Sequence, residues 1–111
     1  MNKRNIILIG MPGAGKSSVG VILAKVLGYE FIDTDLVIQH REKRLLREII
    51  ADEGNEGFLA IENEVNATLE ADKSVIAPGG SAIYGREAME HFKEIGTIVY
   101  QIGRASCRER V

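Results

Sequence analysis

The chain has 111 residues, 45% of them hydrophobic and 27% charged, which suits a single globular domain. Its 14 basic and 16 acidic residues leave a net charge of −2, and aromatic residues make up only 5%, so neither a nucleic acid nor an anionic membrane is expected as a partner. No apolar run approaches the ~20 residues of a membrane span, Met1–Arg4 leads straight into a short strand rather than a secretory signal, and the lone Cys107 excludes an internal disulfide, so a cytoplasmic location is expected.

The first predicted element is a strand over Asn5–Ile9, apolar throughout Ile6-Ile7-Leu8-Ile9 as a strand buried on both faces should be. It runs into Gly10-Met11-Pro12-Gly13-Ala14-Gly15-Lys16-Ser17, a match to G-x-x-x-x-G-K-[ST]. A helix is expected next, from about Gly15 to Leu27, with Val19, Ile22, Leu23, Val26 and Leu27 as its apolar pattern and Gly28 as the residue just past its end. In this strand, glycine-turn and helix context the motif is a phosphate-binding loop. Its backbone N–H groups converge on phosphate oxygens, and the helix N-terminus adds a favourable field. The candidate ATP-phosphate residues are Gly10, Gly13, Ala14, Gly15, Lys16, Ser17 and Ser18. Lys16 brings a point charge to the β- and γ-phosphates, which makes it a catalytic candidate, and the Ser17 hydroxyl is a candidate Mg²⁺ ligand. Side chains at Gly13 and Gly15 would block φ > 0 or push the nucleotide away.

The second predicted strand, Glu30–Ile32, closes on Asp33-Thr34-Asp35. Ligands of open α/β sheets bind beyond the carboxyl ends of the strands, so both acids are expected near the phosphates. Asp33 is the candidate Mg²⁺ residue and Asp35 the one that accepts or positions a substrate hydroxyl, the alternative being that Asp35 caps the next helix. About forty residues of helical character follow. Leu36–Asp52 mixes apolar positions with a basic cluster at Arg41, Lys43, Arg44 and Arg47, and in Asn55–Ala71 the residues Phe58, Ile61, Val65 and Leu69 recur at helical spacing. This is more than one crossover helix requires. It reads either as a small inserted subdomain, at about residues 35–70, closing over a second substrate, with Gly54 and Gly57 flanking a joint, or as ordinary packing helices.

The third strand, Ser74–Ala77, ends in Pro78-Gly79-Gly80-Ser81, where paired glycines permit close approach of a ligand to the backbone. Gly79, Gly80 and Ser81 are candidate ligand-contact residues, a plain turn being the alternative. A helix over about Arg86–Glu94, burying Ala88, Met89 and Phe92, and a strand over Thr97–Tyr100 complete the pattern. Alternation of strand and helix indicates an α/β fold, a parallel sheet with flanking helices. His40 and His91 are expected at the surface without a role.

Residues 102–111 show neither strand alternation nor a helical stripe. They resemble the translation of a widely used short-read sequencing adapter, so a non-native tail is expected beyond a core of residues 1–101, a genuine basic tail being the alternative.

Taken together, Asn5–Lys16 with Ser17, Phe31–Asp35, Gly54–Glu64 and Val75–Ala82 resemble the shikimate kinase family, which has the nucleoside-monophosphate-kinase-like P-loop fold. The resemblance implies ATP, Mg²⁺ and transfer of the γ-phosphoryl group to a hydroxyl of shikimate. It implies that Lys16 and Ser17 serve phosphates and metal, that Asp33 sits near the metal, that Asp35 holds the acceptor hydroxyl, and that Gly79 and Gly80 line the acceptor site. Three positions depart from the family's pattern. Leu59, followed by Ala60, stands where an arginine usually pairs with the acceptor's carboxylate, Pro78 replaces a threonine, and Ser81 replaces a third glycine. The resemblance further implies a fifth strand, an arginine-bearing lid, a second acceptor-binding arginine and a closing helix after Tyr100, so the chain as written is expected to be an inactive, aggregation-prone fragment of a monomeric parent. Alternatives are a kinase for another small hydroxylated metabolite, a nucleotide-binding regulatory module, and a nucleoside-monophosphate kinase.

Overall fold

The computed structural model describes residues 4–10, 16–79 and 82–101. Strands β1 (Asn5–Gly10), β2 (Glu30–Asp33), β3 (Ser74–Ala77) and β4 (Gly96–Gln101) form one parallel sheet in the order β2-β3-β1-β4. Helices α1 (Lys16–Leu27), α2 (Thr34–Glu42), α3 (Leu46–Ala67) and α4 (Arg86–Ile95) connect them, with one 3₁₀ turn at Ala82–Tyr84. The four strands and the first and last helices lie within a residue or so of their expected bounds. None of the described helices is long and apolar enough to cross a membrane.

Alternation along the central strands sends side chains to two cores. On one face, Ile7, Ile9 and Ile76 pack against Phe92 and Ile95 of α4, with half-buried Met89 beside them. On the other, Leu8 and Val75 meet Ala24 of α1, with Phe31 and Leu23 packed alongside. A third cluster joins α2 to α3 through Ile38, Ile49 and Val65, with Phe58 and Ile61 against it.

At the amino ends of the strands, the buried Asn5 side chain ties three segments together. Its Nδ2 donates to Ala71 O (3.0 Å) and Ile95 O (2.8 Å), and its Oδ1 accepts from the Ser74 N–H (3.0 Å).

Several expectations are revised. Of the apolar pattern expected for α1, Leu23 packs inward, while Val19, Ile22 and Leu27 are exposed and Val26 is 76% exposed. The helix instead approaches through Gly20, Leu23 and Ala24, and a Cβ on Gly20 would stand 2.5 Å from the Phe31 ring. Gly28, at φ +73°, ends α1 in the left-handed conformation expected of that position.

The helical stretch after β2 is broken twice. Lys43, at φ 57°, closes α2, and α3 starts anew where the Leu46 N–H donates to Gln39 Oε1 (2.9 Å) and the Leu45 N–H to Glu48 Oε1 (2.9 Å). Within α3, Gly54 (φ 78°, ψ 172°) is non-helical and kinks the element, while Gly57 lies in the helix beyond it. The basic cluster is partly ion-paired: Arg44 reaches Glu42, Asp52 and Glu53, and its pKa is raised, first by its hydrogen bond to Glu42. His40 is exposed as expected, but His91 is half-buried and its Nε2–H donates to Leu69 O (2.7 Å), because α4 turns it towards the end of α3.

Candidate functional site

All four strands run the same way, so their carboxyl ends share one edge of the sheet. At the centre of that edge β1 ends at Gly10, and Lys16 and Ser17 are the first backbone residues of α1. This is the strand-to-helix crossing that a phosphate loop requires. Gly13, Ala14 and Gly15 lie outside the described residues, and Ser18 is exposed on the first turn of α1.

Two elements away, Asp33 ends β2 opposite Ala77 of β3. Its Oδ1 accepts the Asp35 N–H at 3.0 Å, making Asp33 the N-cap of α2. The capping role left open for Asp35 therefore belongs to its neighbour, and Asp35 sits in the first turn of the helix, where a carboxylate faces the positive end of the helix dipole. Among the described residues no group of three or more His, Cys, Asp or Glu side chains is arranged to hold a metal. A single strand-end carboxylate with one oxygen engaged by a backbone N–H suits Mg²⁺, which is commonly held by one or two carboxylates, nucleotide phosphates and water rather than by an all-protein cage.

The candidate acceptor residues converge on Gly79. A methyl group there would stand 2.8 Å from Glu62 Oε2 and 3.1 Å from Asp35 Oδ1, so two carboxylates from different helices meet above one backbone position. Glu62 is 2% exposed. Gly80 and Ser81 lie outside the described residues. Pro78 is fully buried, so its replacement of threonine falls at a packed position of the fold.

Glu62 also lines a cavity of about 290 Å³ between α3 and the start of α4. Leu59 and Asn63 complete the α3 wall, and Tyr84, Arg86 and Glu87 stand opposite. Asn63 braces the two sides: its Nδ2 donates to Glu87 Oε1 (2.9 Å) and its Oδ1 accepts the Ala88 N–H (3.0 Å). The same bond is the main reason that the Glu87 pKa lies below its ordinary value. Gly85 lets the amide in, since a side chain at that position would collide with Asn63.

The structure thus brings Asp35 and Gly79 together and places Asp33 at a neighbouring strand end. Sequence reasoning missed Glu62, Asn63, Arg86 and Glu87. For Glu62 a signal existed: it falls at i+4 from Phe58 on the stripe Phe58, Ile61, Val65, and a charged residue on a buried stripe is rarely idle. The other three carried no such mark.

A model of the shikimate kinase family matches residues 12–104. Among individual proteins, shikimate kinase 2 of Yersinia enterocolitica is 38% identical over 97 residues, covering 87% of this chain and 56% of that protein. Among solved structures, the shikimate kinase of Acinetobacter baumannii in complex with shikimate superposes with a TM-score of 0.79 at 37% identity, over 88% of this chain and 55% of that one. The shikimate kinase of Bacteroides thetaiotaomicron gives a TM-score of 0.77 at 32% identity, over 87% and 56%. The chain spans about half the length of the curated relatives it matches.

Proposed function

The chain belongs to the shikimate kinase family, and from that membership we propose that the protein containing it transfers the γ-phosphoryl group of ATP to a hydroxyl of shikimate. The observation that carries the reading is the meeting of Asp35 and Glu62 over Gly79, at the edge where the strands end. A pure nucleotide binder has no need of two acids aimed at one backbone position.

In this mechanism the backbone amides of Gly10, Gly13, Ala14, Gly15 and Ser18 cradle the phosphates and Lys16 balances their charge. Ser17 and Asp33 are the residues that would hold Mg²⁺, which when bound draws charge from the β- and γ-phosphates. Asp35 accepts the proton of the acceptor hydroxyl. The hydroxyl oxygen forms its bond to the γ-phosphorus as the bond from that phosphorus to the β–γ bridging oxygen breaks, and ADP leaves with the electron pair. Gly79, Gly80 and Ser81 let the acceptor ring approach the backbone. Both substrates are small soluble metabolites, so the reading carries with it a cytoplasmic location, and a monomeric full-length enzyme is expected.

The test is ADP release by the full-length protein on addition of shikimate. Asp35→Asn should lower kcat roughly a hundredfold or more while leaving the ATP dissociation constant unchanged by calorimetry. No ADP release with shikimate, or full activity in Asp35→Asn, rejects the proposal. Leu59 favours a second reading, a kinase for another small hydroxylated metabolite, because leucine offers an acceptor carboxylate no bidentate partner. Turnover with a different alcohol and none with shikimate selects that reading.

A further inference from the structure

Shikimate presents a carboxylate as well as hydroxyls, and a site that selects it needs a cation within the cavity. The α3 wall supplies none there: Leu59 and Ala60 carry no donor, and Glu62 is an acid. The guanidinium groups of α2 and the α2–α3 turn are engaged away from this cavity, Arg41 with Glu64 (3.1 Å) and Glu42 (3.8 Å), and Arg44 with Glu42, Asp52 and Glu53. Among the described residues that line the cavity, Arg86 is the one cation.

We propose that Arg86 is a binding residue for the acceptor's carboxylate, on the wall facing the place that Leu59 leaves without a charge. The inference rests on the shikimate reading above. Arg86 is free to take the role: its Nε lies 3.6 Å from Glu90 Oε2 in an i,i+4 pair whose side chains are 85% and 64% exposed, and an exposed pair of this kind is worth little. Helix stability does not explain its position, because a cation in the first turn of α4 faces the positive end of the helix dipole. The acid across the cavity sharpens the choice. Buried Glu62 on the α3 wall accepts hydrogen bonds from hydroxyls and offers a carboxylate no partner. An acid on the α3 wall and a guanidinium on the facing wall orient a hydroxylated carboxylate one way round, with its hydroxyls towards Glu62.

The experiment compares shikimate with its neutral carboxamide in the full-length protein, by ADP-release kinetics and by calorimetric titration of each acceptor. Arg86→Ala should raise KM for shikimate roughly tenfold or more, as loss of a charge-assisted contact does, with KM for ATP unchanged. The carboxamide should lose less than about twofold, and Arg86→Lys should recover part of the shikimate loss. An unchanged shikimate KM in Arg86→Ala, or an equal loss for the carboxamide, overturns the assignment of Arg86 and leaves the kinase reading standing. Failure of the wild-type protein to bind or phosphorylate shikimate overturns both.

Discussion

A side chain at Gly79 would press on two carboxylates at once, one of them buried and unable to swing into water. Gly79→Ala is therefore expected to push Asp35 and Glu62 apart and to lower kcat/KM for the acceptor roughly tenfold or more, because reacting groups displaced by about an ångström lose most of their advantage. ATP affinity should stay the same, and acceptor kinetics beside an ATP titration measure both; unaltered acceptor kinetics would remove this point of convergence from the mechanism. At this scale the sequence was informative about place: Asp33, Asp35 and Gly79 were expected at or just beyond the strand ends, and they lie there. The division of labour between the two aspartates was not legible, because which of them caps α2 depends on where the backbone leaves the strand, and two acids separated by one residue fit either arrangement. Glu62 went unseen although its place on the buried stripe of Phe58, Ile61 and Val65 was a signal, because a glutamate in a helix ordinarily faces solvent.

Helix α3 shows what a single backbone conformation does to an element. Gly54, at φ 78° and ψ 172°, lies in a region that side-chain-bearing residues rarely adopt, and nothing stands within 4 Å of where a Cβ would go, so strain and not crowding keeps glycine there. Gly54→Ala should cost about 1–3 kcal/mol in chemical denaturation. The half of α3 before the kink, which carries Asp52 and Glu53 to Arg44, should also exchange its amide hydrogens faster. Unchanged stability would mean that the kink is optional. The joint at Gly54 was visible in advance because glycine is a strong punctuator of helical patterns. The packed side of α1 was visible only in part, since Leu23 of the expected pattern faces the sheet while Val19, Ile22 and Val26 do not, and the approach of Phe31 to Gly20 decides the rotation. The end of α2 was equally hidden: Lys43 in the left-handed conformation is not a residue that announces a stop.

Across the whole molecule, the parallel sheet and its two covered faces follow from four short apolar runs separated by helices, and that pattern was legible. What surrounds the fold is less settled in polarity. Ile22 and Val26 on α1, and Val99 and Tyr100 on the outer strand β4, are exposed apolar residues that can drive self-association. The 111-residue chain is expected to self-associate with rising concentration, seen as a mass above 12.2 kDa in light scattering. Ile22→Lys with Val26→Glu should return it to a monomer without loss of helix, and a wild-type chain that stays monomeric would refute the expectation. Asn5 has an effect of another kind. Its amide closes the end of the sheet opposite the strand tips, so inherited changes there leave each surviving copy chemically competent while fewer copies escape cellular proteolysis. A genetic screen would meet them as heat-sensitive alleles, rescued by higher expression.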